Sequence, residues 1–200
     1  MITNPKSRIV KPLEAMGYAV VKDYHATRDK TLDEYILGKQ VWYSLSHGGT
    51  DCGVPETEFL GLKFIDGNIT ADMLPPGLNY RLVMVDGCCS ASTGEFSRSA
   101  ASVNPNVSAA VTAFADKFGS DVAYVGWAWT MDAGWAQYYT GQLTQRFLYD
   151  KSLKRGRTVT EAHAKLVSDY ANAKQPVKVA LSLMKLYGST GNVIDLRKGK

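Results

Sequence analysis

Val41-Trp42-Tyr43-Ser44-Leu45-Ser46-His47-Gly48-Gly49 and Tyr80-Arg81-Leu82-Val83-Met84-Val85-Asp86-Gly87-Cys88-Cys89-Ser90 decide how this chain is read. Each holds an apolar run of strand length, and each delivers a reactive side chain just past its end beside a glycine. Open α/β sheets carry their sites at the carboxyl ends of strands. A histidine and a cysteine presented this way suggest a cysteine nucleophile with a histidine base. Singly, the cysteine reads as a small buried hydrophobe and the histidine as a structural residue. The matched strand contexts give the pair its weight.

Working outward, Asn4-Pro5 opens a predicted helix with Ile9, Val10, Leu13 and Met16 on its apolar stripe and Gly17 at its end. Tyr18 to Val21 reads as a short strand. Thr31 is the expected cap of a helix from Leu32 to Leu37, stopped by Gly38. Asp66-Gly67 predicts a hairpin between Phe59–Ile65 and Asn68–Thr70. Pro75-Pro76-Gly77 breaks the chain before the cysteine strand, and Ser92 to Asn104 reads as a loop. A helix is expected from Asn104-Pro105 to Phe118, a buried strand over Val122 to Trp129, and a long helix over Ala133 to Tyr149. Thr158-Val159-Thr160-Glu161 is a capping box for a helix through Ala173. A last short strand is expected at Val193 to Leu196. Strands alternating with helices imply a mostly parallel sheet covered on both faces.

The 200 residues fit one domain with a substantial core. The net charge of +4 is mild. The basic clusters Lys151–Arg157 and Arg197–Lys200 read as solvated surface, so nucleic acid is not an expected partner. No run of about 18 apolar residues exists, so no membrane span is expected. The N-terminus lacks the apolar core of a signal peptide. Three cysteines leave at least one thiol free within the chain. That count fits a reducing compartment, with the cytoplasm as the default, or a piece of a longer precursor with further regulatory domains. The chain begins with a helix where such folds usually begin with a central strand, which also fits a fragment.

Strand–His–Gly followed by strand–Asp–x–Cys–x–Ser resembles the caspase-like cysteine peptidases: caspases, metacaspases, legumain, clostripain, gingipains and bacterial CHAT-domain proteases. Asp86-Gly87-Cys88-Cys89-Ser90-Ala91 is similar to the metacaspase block Asp-x-Cys-x-Ser-Gly, with Ala91 in place of the glycine. Val125-Gly126-Trp127-Ala128-Trp129-Thr130-Met131-Asp132 resembles the strand and turn after that block in CHAT and gingipain-like domains. There the segment leads to a long helix, a basic glycine turn and an Ala-rich helix, matched here by Ala133–Tyr149, Lys154-Arg155-Gly156 and Thr160–Ala164. Leu186-Tyr187-Gly188-Ser189-Thr190 resembles their closing Tyr-Gly-Asp-Pro segment without its Asp-Pro. The resemblance spans roughly residues 5 to 196. It implies a three-layer α/β/α sandwich with a mostly parallel central sheet.

It also implies a cysteine endopeptidase acting on peptide or protein substrates. Cys88 is then the nucleophile, two residues after the acid, with Cys89 as the alternative. His47 activates the thiol or protonates the leaving amine. The N–H groups of Gly48 and Cys88 receive the oxyanion. Asp86 at the floor of the S1 pocket suits Arg or Lys at P1, unless it only braces the cysteine loop. Trp127 and Trp129, alternating along one strand, wall the pockets or pack in the core. Asp132 is a second candidate acid, and Arg98 a candidate self-cleavage site.

Other readings stand beside this one. His47, Cys52, Cys88 and Cys89 are residue types that bind zinc, but no Cys-x-x-Cys pair is present. No metal or other cofactor is therefore expected. A catalytically inactive caspase-like binding module or zymogen fragment is the main alternative, and acyl transfer at the thiol is another. His25 and His163 read as peripheral.

Overall fold

The computed structural model describes residues 8–48, 61–91, 109–195 and 197. Helix α1 (Val10–Ala15) is followed by a short helix α2 (Arg28–Lys30) that widens into a π turn over Thr31–Tyr35. Strand β1 (Val41–Leu45) continues into the two-residue β2 (His47–Gly48). The hairpin β3 (Leu62–Phe64) and β4 (Gly67–Ile69) precedes β5 (Leu82–Asp86). Helix α3 (Ala109–Asp116), strand β6 (Ala123–Trp127) and the long α4 (Ala133–Arg146) come next. A small ribbon, β7 (Tyr149–Asp150) and β8 (Arg155–Gly156), leads to α5 (Val159–Asp169), α6 (Gln175–Leu183) and β9 (Met184–Gly188).

The central sheet has the order β1-β5-β6-β9. The first three strands are parallel, and β9 returns antiparallel to β6. The chain is therefore a mixed α/β fold with a mostly parallel central sheet. Every residue of β5 and β6 is buried, as expected of parallel strands covered on both sides. Leu82, Met84, Val125 and Trp127 face Leu13 of α1, Leu143 of α4, Leu166 of α5 and Leu181 of α6. Val83, Val85 and Tyr124 face the opposite way, toward Val111 and Phe114 of α3, with Phe118 and Tyr80 beside them.

Several sequence expectations shift. Tyr18–Val21 forms no strand; the Tyr18 hydroxyl instead donates to Ile194 O. The helix cap is Thr27 rather than Thr31, since Thr27 is extended and accepts from Lys30 N. Thr31 is already helical and turns its hydroxyl back to Thr27 O. The strand expected to reach Trp129 ends at Trp127. Helix α4 stops at Arg146, so Tyr149 belongs to β7. The helix expected through Ala173 ends at Asp169, and α6 and β9 follow it. At the C-terminus, Val193 makes only an isolated bridge with Thr158. The predicted loop Ser92–Asn104, with Arg98, lies outside the described residues, as does Cys52.

Candidate active site

Parallel pairing of β1 with β5 sets Leu45 opposite Asp86, so both chains leave the sheet at the same end. Ser46 N then donates to Asp86 O at 3.3 Å. Beyond it the His-Gly turn lies directly on the cysteine turn. A methyl group on Gly48 would stand 1.9 Å from Cys88 O and 3.4 Å from Cys88 N. One on Gly87 would stand 3.0 Å from Ser46 O and 3.3 Å from Gly48 N. Gly48 needs glycine because two backbones touch there, and a methyl on Gly87 would crowd the same contact. His47 is exposed and pairs through β3 with Lys63. Cys88 is half-buried, and its thiol is free, with Sγ 3.8 Å from Met131 O.

The cysteine turn is tied down by β6 and its extension. Ser90 Oγ donates to Val85 O at 2.9 Å and accepts from Trp127 N at 3.0 Å. The Tyr124 hydroxyl donates to Ser90 O at 2.7 Å. Ala91 N donates to Trp127 O, and Cys89 N to Trp129 O. Only the bond to Trp129 O lies beyond the end of β6. Cys89 itself has φ +56°, a left-handed conformation that turns the chain sharply. It is disulfide-bonded, so among the described cysteines Cys88 alone offers a thiol.

Asp86 is buried to 3% exposure. Its Oδ1 accepts from Trp127 Nε1 at 2.8 Å and from Thr140 Oγ1 at 2.5 Å; its Oδ2 accepts from the Tyr43 hydroxyl at 2.8 Å. All three donors are neutral. Burial pushes the carboxyl up to about 6, with the three hydrogen bonds pulling the other way. The Tyr43 phenol is raised far above its ordinary range, first by burial and then by the charge of Asp86. Gln137 stands beside Tyr43, and its buried Nε2 meets no hydrogen bond of normal geometry. Both residues also wall a cavity of about 730 Å³ along β1 that extends to Ser46 and His47. Asp86 is therefore one side chain away from open space, behind Tyr43 and Gln137.

The remaining candidate residues separate. Trp127 is fully buried as the indole donor to Asp86. Trp129 sits half-buried in the bend beyond β6, so the expected alternation of the two indoles on one strand does not occur. Asp132 caps α4, accepting from Gly134 N and Trp135 N. His163 lies on α5 and His25 in an exposed turn. Among the described residues no three His, Cys, Asp or Glu side chains gather as a metal site. Sequence reasoning missed Tyr43, Ser90 and Thr140. A signal existed for the last: Gln137, Thr140 and Thr144 recur at helical spacing on the buried face of α4.

No protein-family model matches the chain, and no curated protein matches it in sequence.

Proposed function

We propose that this chain is a caspase-like cysteine peptidase domain that cleaves after Arg or Lys. The observation that carries the reading is the contact between the His-Gly turn and the cysteine turn, which leaves room for no side chain at Gly48. It sets the turn that carries the only described free thiol against the turn that carries His47. In this reading the Cys88 thiolate attacks the scissile carbonyl carbon and forms a C–S bond. The oxyanion is received by the adjacent N–H groups of Gly48 and Cys88; each such donor is typically worth about 3–4 kcal/mol in the transition state. As the C–N bond breaks, His47 gives a proton to the leaving amine. It then takes one from the water that hydrolyses the thioester.

Basic specificity draws support from the electrostatics of Asp86. A buried carboxylate held by three neutral donors has no cation to balance it. A guanidinium or ammonium entering from the cavity along β1 supplies that charge once Tyr43 or Gln137 swings aside. Trp129 lies in the bend whose carbonyl binds the cysteine turn, and in this reading its indole walls the cleft. Asp132 is occupied as a helix cap, which leaves Asp86 as the acid of this reading.

The test is labelling with a peptidyl acyloxymethyl ketone bearing Arg at P1, followed by peptide mapping. One adduct on Cys88 is expected, absent in Cys88→Ala and slowed in His47→Ala. Equal labelling by the ketone with Asp at P1 would contradict the specificity, and no adduct at Cys88 would contradict the chemistry.

A further inference from the structure

On the other flank of the sheet, α5, α6 and β9 enclose an open-mouthed cavity of about 510 Å³, within the range of small-molecule sites. Its walls are apolar, with Val167, Leu181 and Met184 among them. Its polar groups are three nitrogen-bearing side chains and the hydroxyls of Ser168, Tyr170 and Ser182. Lys178, Lys185 and His163 line it, and no Asp or Glu does. None of the ion pairs among the described residues uses either lysine. His163 Nε2 is buried without a hydrogen-bond partner. The imidazole is pushed down first by burial and then by the charge of Lys185, and burial also pushes the Lys185 ammonium down.

The Lys185 charge acts on the His163 imidazole, and the buried His163 Nε2 is unpaired; each of these costs stability. An anion set between Lys185 and His163 removes both costs, and an apolar body attached to it covers the walls. We infer that this cavity binds a small amphiphilic carboxylate, its carboxylate on Lys185 and His163 and its hydrocarbon part against Val167, Leu181 and Met184. The inference is independent of the peptidase reading. The two lysines and the histidine recognise charge, so a neutral amide of the same shape binds poorly.

The probe is 4-phenylbutyrate, titrated into the full chain and followed by amide and imidazole NMR. Saturable one-to-one binding is expected, with shifts confined to α5, α6 and β9 and titration of the His163 ring moved to higher pH. Lys185→Gln, a polar replacement on a half-exposed strand, is expected to weaken binding at least tenfold. So is exchange of the probe for 4-phenylbutanamide. Lys165→Gln, whose lysine pairs with Asp169 on the outer surface of α5, is expected to leave affinity unchanged. Equal binding of acid and amide, shifts centred elsewhere, or no saturation at millimolar probe would each overturn the inference. So would an unchanged affinity in a well-folded Lys185→Gln.

Discussion

Asp86 ties the structure's electrostatics to its proposed chemistry. Its folded value of about 6 stands above the ordinary 3.8, so the folded state holds the proton more tightly than the unfolded chain. The stability linked to the neutral acid is complete below about pH 4 and is lost as pH rises through 6. A shift of about two units corresponds to about 3 kcal/mol. Asp86→Asn keeps the shape and removes the titration. Its urea midpoint is expected to improve relative to the parent chain on going from pH 4 to pH 7.5; parallel pH profiles would contradict this. Gly48 is the second decisive residue. Gly48→Ala drives a methyl into Cys88 O, so the two turns must part. A fall of at least 100-fold in kcat/KM is expected, measured on a basic-P1 peptide, with circular dichroism preserved. The two glycines and the two reactive side chains were legible in the sequence because each follows an apolar strand. The Asp86 hydrogen bonds were not. Their donors come from β1, β6 and α4, far apart in the chain, and only folding brings them together.

Local chemistry explains which elements could be read directly. The box at Thr158 and Glu161 is present in full: Thr158 Oγ1 accepts from Glu161 N, and the Glu161 carboxylate returns to Thr158 N. Arg155 also grips that carboxylate and holds it well below the usual range, at about 2. Thr158→Ala is expected to cost about 1 kcal/mol in urea unfolding, and no change would show that tertiary contacts alone hold α5. The Asp66-Gly67 hairpin forms where its turn residues put it. By contrast, α6 and β9 escaped notice because no turn residue separates them. Leu183 ends the helix and Met184 begins the strand. Strand β9 is defined by its long-range antiparallel pairing with β6, which leaves no local mark. Val193 and its neighbours have strand-like composition, but the Asp195 carboxylate draws the chain to Tyr149 N and Arg197 instead.

At the scale of the whole molecule, the parallel sheet divides the described core in two, and each half serves the site differently. The α4 side carries Trp127 and Thr140, which fix Asp86. The α3 side carries Phe114 and Tyr124, and Tyr124 reaches through to Ser90 O and so holds the cysteine turn. Phe114 packs edge-on against Phe118 and Tyr124. Phe114→Ala is therefore expected to cost about 3–5 kcal/mol, read from urea unfolding, and to loosen the turn as well as the core. The fold class was legible because strand and helix patterns alternate along the chain. The antiparallel return of the last strand was not, since pattern alone carries no direction. The most direct test of the central claim is a fluorogenic peptide panel with Arg, Lys, Asn, Asp and Ala at P1, run beside Cys88→Ala and Asp86→Ala. Cleavage after Arg or Lys is expected, abolished in the first variant and redirected or lost in the second. Cleavage that persists in Cys88→Ala, or silence across the panel from a folded chain with its Cys88 thiol free, would contradict the account.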